Sequence, residues 1–192
     1  RRAGAAGGVW AMKPVSMTAF YCCAIRAWDA SLPAPVLGDR YAERFLTDEA
    51  RRVMEPYRAE RYPNAANVVR PRIIEESLAD DLRRSPRRLI VLVGAGFDSR
   101  AFRLPAGRFV EVDEVAVLAH KESRLPAASA PNPLTRVPID FATESLEEKL
   151  APWRGEADVT IVVEGVTMYL TQAQVAALLA TLTAVFPTHA LL

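Results

Sequence analysis

The sequence predicts an α/β fold, a buried parallel sheet with helices on its faces and a helical cap in front. Three observations carry that prediction. In the second half, four β-rich runs at 88–93, 108–113, 135–140 and 159–163 alternate with helical segments, the order that builds crossover units. The runs at 89–93 and 159–163 are almost continuously apolar, as strands buried on both faces are. Charge also changes sign near residue 86, since residues 1–90 carry a net +5 and residues 91–192 a net −4. The chain therefore divides into a leader and helical cap, 1–85, and a sheet-forming part, 86–192.

Residues 1–14, with Gly4, Gly7, Gly8 and Pro14, read as a loose leader. A helix follows at 16–30, with Ser16 or Thr18 as cap and Pro33 and Pro35 beyond its end. Its apolar stretch behind Lys13 has the outline of a signal-peptide core. Arg26 and Asp29 come at once, however, and no small-residue cleavage site appears, so it reads as a buried helix. Residues 39–52 form a second amphipathic pattern, with Tyr41, Phe45 and Leu46 on one face. Pro56, Pro63 and Asn64 mark loops. A third helix is expected at 67–84, with Val69, Ile73, Ile74, Leu78 and Leu82 as its apolar stripe and Pro71 admissible only in the first turn.

Beyond the first strand, a helix should follow the second at 117–124, and Pro138 interrupts the third. Thr171 caps a helix at 172–185 that turns Val175, Leu178, Leu179 and Leu182 inward, and 189–192 begins a fifth strand.

Composition excludes several classes. With 24 Lys+Arg against 23 Asp+Glu, the chain lacks the basic excess of a nucleic-acid binder. The two cysteines, Cys22 and Cys23, are adjacent, so there is no disulfide framework and no metal-ligand spacing, which points to a reducing, cytoplasmic setting. No apolar run reaches the ~18 residues that a membrane span requires.

Four polar features fall at the carboxyl ends of the predicted strands, where open α/β sheets bind ligands. Gly94-Ala95-Gly96 allows a sharp turn and close backbone approach, although the dinucleotide fingerprint is incomplete because Ser99 stands where its third small residue belongs. Asp113 ends the second strand, placed either to accept from a ribose diol or to cap the next helix, while Glu111 could equally pair with an arginine across the sheet. Asp140 beside Phe141 suits an adenine amino group and ring, or simply a turn. Glu164 follows the fourth strand directly, with Tyr169 five residues on, as a site carboxylate or a capped loop residue.

Together with other pieces these features resemble the leucine carboxyl methyltransferase family. The matching pieces are Ser16 to Ala19 with Arg26, Gly38 to Ala42, Arg70-Pro71-Arg72, Gly94 to Arg100 with Arg103, Glu111 to Asp113 with Lys121, Asp140, and Glu164 to Leu170. The resemblance implies a Rossmann-like class I methyltransferase sheet, S-adenosyl-L-methionine as cofactor, and O-methylation. Gly94, Ala95 and Gly96 would lie under the methionine portion, Asp113 at the ribose, Asp140 and Phe141 at the adenine, and Glu164 at the methionine amino group. Arg70, with Arg72 as fallback, would reach a carboxylate of cofactor or acceptor, and Tyr169 would face the acceptor.

That family's sheet has the order 3-2-1-4-5-7-6, whereas this chain supplies strands 3-2-1-4 and the start of 5. With Arg1 in first place and an apolar run to Leu192, it reads as a fragment lacking the C-terminal strands. The acceptor is expected to be a small molecule or peptide carboxylate. A carboxylate needs no general base whereas a hydroxyl does, and candidate bases are few: His120 lies on the helix after Asp113, away from the expected methyl position, His189 is near the end of the chain, and Glu164 is needed elsewhere. A nicotinamide-dependent oxidoreductase and a truncated, non-catalytic relative are the alternatives.

Overall fold

The computed structural model describes residues 14–192. The expected leader lies outside the described residues except for Pro14, which opens the first helix. Helices α1 (Pro14–Ala30), α2 (Ala42–Phe45), α3 (Asp48–Met54) and α4 (Arg61–Arg84) come first. Strands β1 (Leu89–Val93), β2 (Arg108–Glu114), β3 (Leu134–Ile139), β4 (Val159–Val162) and β5 (Ala190–Leu191) follow. Between them lie α5 (Arg100–Arg103), α6 (Val115–Arg124), α7 (Leu146–Leu150) and α8 (Gln172–Val185).

The strands form one sheet in the order β3-β2-β1-β4-β5, and every neighbouring pair is parallel. This is the α/β arrangement that the strand–helix alternation predicts. Strand β1 lies at the centre and is buried along its whole length. Its side chains alternate: Ile90 and Leu92 join Phe20, Phe45, Leu78, Leu82 and Phe102 on one side. Leu89, Val91 and Val93 join Ile161, Leu150, Leu182 and Phe186 on the other side. An uninterrupted apolar run is thus what a strand with cores on both faces requires. Pro138 is accommodated because β3 is an edge strand, where a missing N–H costs no sheet hydrogen bond on the open side.

Several local expectations change. The helix expected at 39–52 is broken into α2 and α3, because Asp39 is drawn into a buried network and Leu46 is extended with ψ 130°. Thr47 then starts α3 afresh by accepting the Ala50 amide at 3.0 Å. Helix α1 spans Pro14–Ala30, so the positions of Ser16 and Thr18 lie inside it. Helix α4 starts at Arg61, which puts Pro63 in its first turn and Pro71 in its interior. Its buried stripe is Val68, Pro71, Leu78 and Leu82, while Val69 and Ile73 are exposed. On α8, Leu182 and Val185 are buried and Leu179 is exposed.

Candidate functional site

The chain leaves β1 through Gly94-Ala95-Gly96. Gly94 has φ +69° and Gly96 φ +48°, a backbone region that side chains with a Cβ rarely adopt. A Cβ on Gly94 would also run into Val166. The Gly94 and Ala95 amides donate to the Val112 carbonyl at 2.8 and 3.1 Å, folding the turn over the end of β2. Phe97 then fastens the turn to α1 and α2, stacked on Phe45 with centroids 5.4 Å apart and tilted on Phe20 at 4.8 Å. Helix α1 crosses above, and an added Cβ on Gly96 would lie 3.9 Å from that of Ala19.

Asp113, near the end of β2, faces this turn. Its Oδ2 accepts the Gly96 amide at 2.5 Å and its Oδ1 the Glu114 amide at 2.7 Å. Burial pushes its carboxyl above the usual range, although the two amides and Lys121 act the other way. A carboxylate has about four acceptor positions, so accepting two amides leaves capacity for further donors. Two residues earlier, Glu111 takes the cross-sheet role: it is wholly buried, with Lys121 Nζ at 2.8 Å and Arg136 Nε at 3.1 Å from Oε2.

After β3, Asp140 shapes its own turn. Its Oδ1 accepts the Ala142 amide at 3.0 Å, and its own amide donates to Glu144 Oε2 at 2.8 Å. The neighbouring Phe141 ring is half-exposed.

Glu164 follows β4 and joins two arginines. Arg70 Nε on α4 donates to Glu164 Oε1 at 2.9 Å, and Arg100 Nη2 donates to Oε2 at 2.9 Å. Arg100 also donates to Asp98 Oδ2 at 2.6 Å and to the Pro71 carbonyl at 3.2 Å. Its side chain is 2% exposed, whereas that of Arg70 is 44% exposed. Burial pushes the Asp98 carboxyl up, but Arg100, Lys121 and Arg103 outweigh it and hold the group below the usual carboxylate range. Beside the Arg70–Glu164 pair lies a cavity of about 310 Å³, lined also by Ile74, Val163, Gly165, Thr167, Met168 and Leu192. Tyr169, in the adjacent 3₁₀ turn, is half-exposed and does not line that cavity. Arg72 turns along α4 to Glu76 at 2.8 Å.

The expected residues thus meet in two contacts, Gly96 with Asp113 and Arg70 with Glu164. Gly94, Asp113, Asp140 and Glu164 all lie at the carboxyl ends of four neighbouring parallel strands. The arginine that ties Glu164 to the glycine turn, Arg100, was not among the candidates. Its signal was a lone arginine directly before the apolar pair Ala101-Phe102, where only a paired charge can be buried.

The sequence profile of the leucine carboxyl methyltransferase family matches residues 19–183. The chain belongs to this family. A protein of Streptomyces coelicolor is 30% identical over 87% of this chain and 61% of its own length. Another, in Frankia alni, is 32% identical over 90% of this chain and 63% of its own length. Both are provisionally named S-adenosyl-L-methionine-dependent methyltransferases. The chain therefore spans about three fifths of the length of these relatives. Among solved structures, S-adenosylmethionine-bound CalS10, an amino pentose methyltransferase from Micromonospora echinaspora, is 24% identical over 58% of this chain and 44% of its own, with a TM-score of 0.37. The matched span, residues 19–183, runs across the glycine turn, Asp113, Asp140, Glu164 and Arg70.

Proposed function

We propose that the chain binds S-adenosyl-L-methionine and serves an O-methyltransferase whose acceptor presents a carboxylate or an acidic hydroxyl. The observation that carries this reading is the alignment of the Gly94–Gly96 turn, Asp113, Asp140 and Glu164 at the ends of four adjacent strands in a member of this family. The donor set suits the cofactor. Asp113 is an acceptor for ribose hydroxyls, Asp140 for an exocyclic amine beside the Phe141 ring, Glu164 for an ammonium, and Arg70 for a carboxylate. Bound there, the cofactor supplies a methyl group made electrophilic by its sulfonium.

The remaining work is positioning. Arg70 is exposed enough to leave Glu164 and orient an acceptor carboxylate, with Tyr169 as a second donor. Neither histidine is poised as a base. His120 Nε2 lies 2.8 Å from the Phe45 carbonyl within the aromatic cluster, and His189 Nδ1 lies 2.7 Å from the Phe186 carbonyl. That scarcity favours an acceptor already ionised near neutral pH. Helices α1 to α4 would serve as a cap over a cofactor-binding part that begins near residue 86. Family membership speaks against the nicotinamide-dependent alternative.

Calorimetric titration with S-adenosylhomocysteine tests the reading. Binding by the chain, weakened at least about tenfold by Asp113→Ala, supports it. Absence of binding, or an unchanged affinity in the variant, counts against it.

A further inference from the structure

We infer that Arg100 is a positioning residue that acts through Glu164 on the amino-acid end of the cofactor. The inference rests on the cofactor reading above and assigns a role to a residue that does not itself touch the proposed ligand.

Glu164 is gripped from two sides of unequal character. On the solvent side, Arg70 makes one hydrogen bond to Oε1 and remains 44% exposed. On the interior side, Arg100 is 2% exposed and donates to three acceptors on three elements. These are Asp98 beyond the glycine turn, Glu164 beyond β4, and the Pro71 carbonyl within α4. The planar fork of a guanidinium serves divergent acceptors at fixed angles, which a lysine ammonium does not do.

Charge bookkeeping points the same way. Counted over the direct ion pairs alone, Asp98 and Glu164 carry two negative charges against Arg100 and Arg70 with two positive ones. If Arg70 turns to a carboxylate, Glu164 loses one cation while Arg100 still holds Oε2. An ammonium at Oε1 then restores neutrality without moving the glutamate. Arg100 therefore keeps Glu164 in one orientation as its outer partner changes from a guanidinium to an ammonium. Pro71 adds a geometric link, because the carbonyl that Arg100 holds belongs to the residue next to Arg70.

The test compares two probes, S-adenosylhomocysteine, which carries the amino-acid end, and 5′-methylthioadenosine, which lacks it. Arg100→Gln and Arg100→Lys should each weaken S-adenosylhomocysteine binding about tenfold or more, with methylthioadenosine affinity unchanged within about twofold. In a Glu164→Gln background the Arg100→Gln change should add little further loss, because the two residues act as one unit. Equal losses for both probes, no loss for either, or additive losses in the double variant would overturn the inference. So would unfolding of both single variants by circular dichroism, since Arg100 would then be holding the fold. A wild-type chain that binds neither probe instead removes the cofactor reading, and this inference with it.

Discussion

Asp98 and Glu111 are both acidic, both near the glycine turn, and both partnered by buried cations, yet they do different things. Asp98 accepts the Arg100 amide and guanidinium, each at 2.6 Å, and its carboxyl is held below the usual range despite burial. A carboxyl with a lowered folded pKa contributes stability that is fully present above its unfolded value, near about 4. That contribution disappears as pH falls from there through the lower folded value. Stability of the wild-type chain should therefore decline through that window, and Asp98→Asn should flatten the decline in urea titrations at stepped pH. Glu111 shows what sequence could not choose. Its spacing suited a ligand contact or a cross-sheet ion pair, and only the arrival of Lys121 from α6 and Arg136 from β3 selects the second. Those partners are 10 and 25 residues away, so no local pattern announces them.

Helix α8 was legible because its start is a local device. Thr171 accepts the Gln174 amide at 3.3 Å, and Gln174 Oε1 accepts the Thr171 amide at 2.8 Å, a complete capping box. Thr171→Ala should lower stability by about 1 kcal/mol, read as a reduced urea midpoint at unchanged slope. Helix α4 departs from the sequence pattern for the opposite reason. Pro63, Asn64 and Pro71 signal breaks under local rules, yet Asn64 Nδ2 donates to the Tyr57 and Arg58 carbonyls, both at 3.0 Å, and so secures the first turn. Pro71 sits inside the helix as part of its buried stripe. An interior proline costs about 3 kcal/mol in isolation, so packing and the Arg100 bond to its carbonyl have overridden propensity. The 39–52 pattern failed similarly. Its periodicity was helical, but Asp39 is more strongly engaged elsewhere.

That engagement joins the N-terminal helices to the sheet. Asp39 is 1% exposed and accepts Ser99 Oγ at 2.6 Å, Arg26 Nε at 3.2 Å and the Tyr41 amide at 3.1 Å. Arg26 continues to the Phe97 carbonyl at 2.8 Å, and Arg103 links Ser99 to Glu75 on α4. The network thus ties α1, the loop before α2 and α4 to the segment after the glycine turn. Asp39→Ala would leave Arg26 and Ser99 without this buried acceptor and should cost about 3 kcal/mol, measured by chemical denaturation. A change under about 1 kcal/mol would show that this network carries little of the attachment of α1 and α4.

By itself the sequence determined the α/β class, the positions of the strands, and the polar residues at their carboxyl ends. Those features are written in short-range patterns, namely apolar runs, turn glycines and caps. The boundaries of the N-terminal helices, the pairing of Glu111 and the hub at Arg100 were decided only by tertiary structure. Each depends on charges that meet across distant elements, where burial makes an ion pair worth keeping only if every partner arrives in place. The glycine turn was therefore visible from its own residues, whereas the arginine that ties it to Glu164 became visible only once the strands stood side by side.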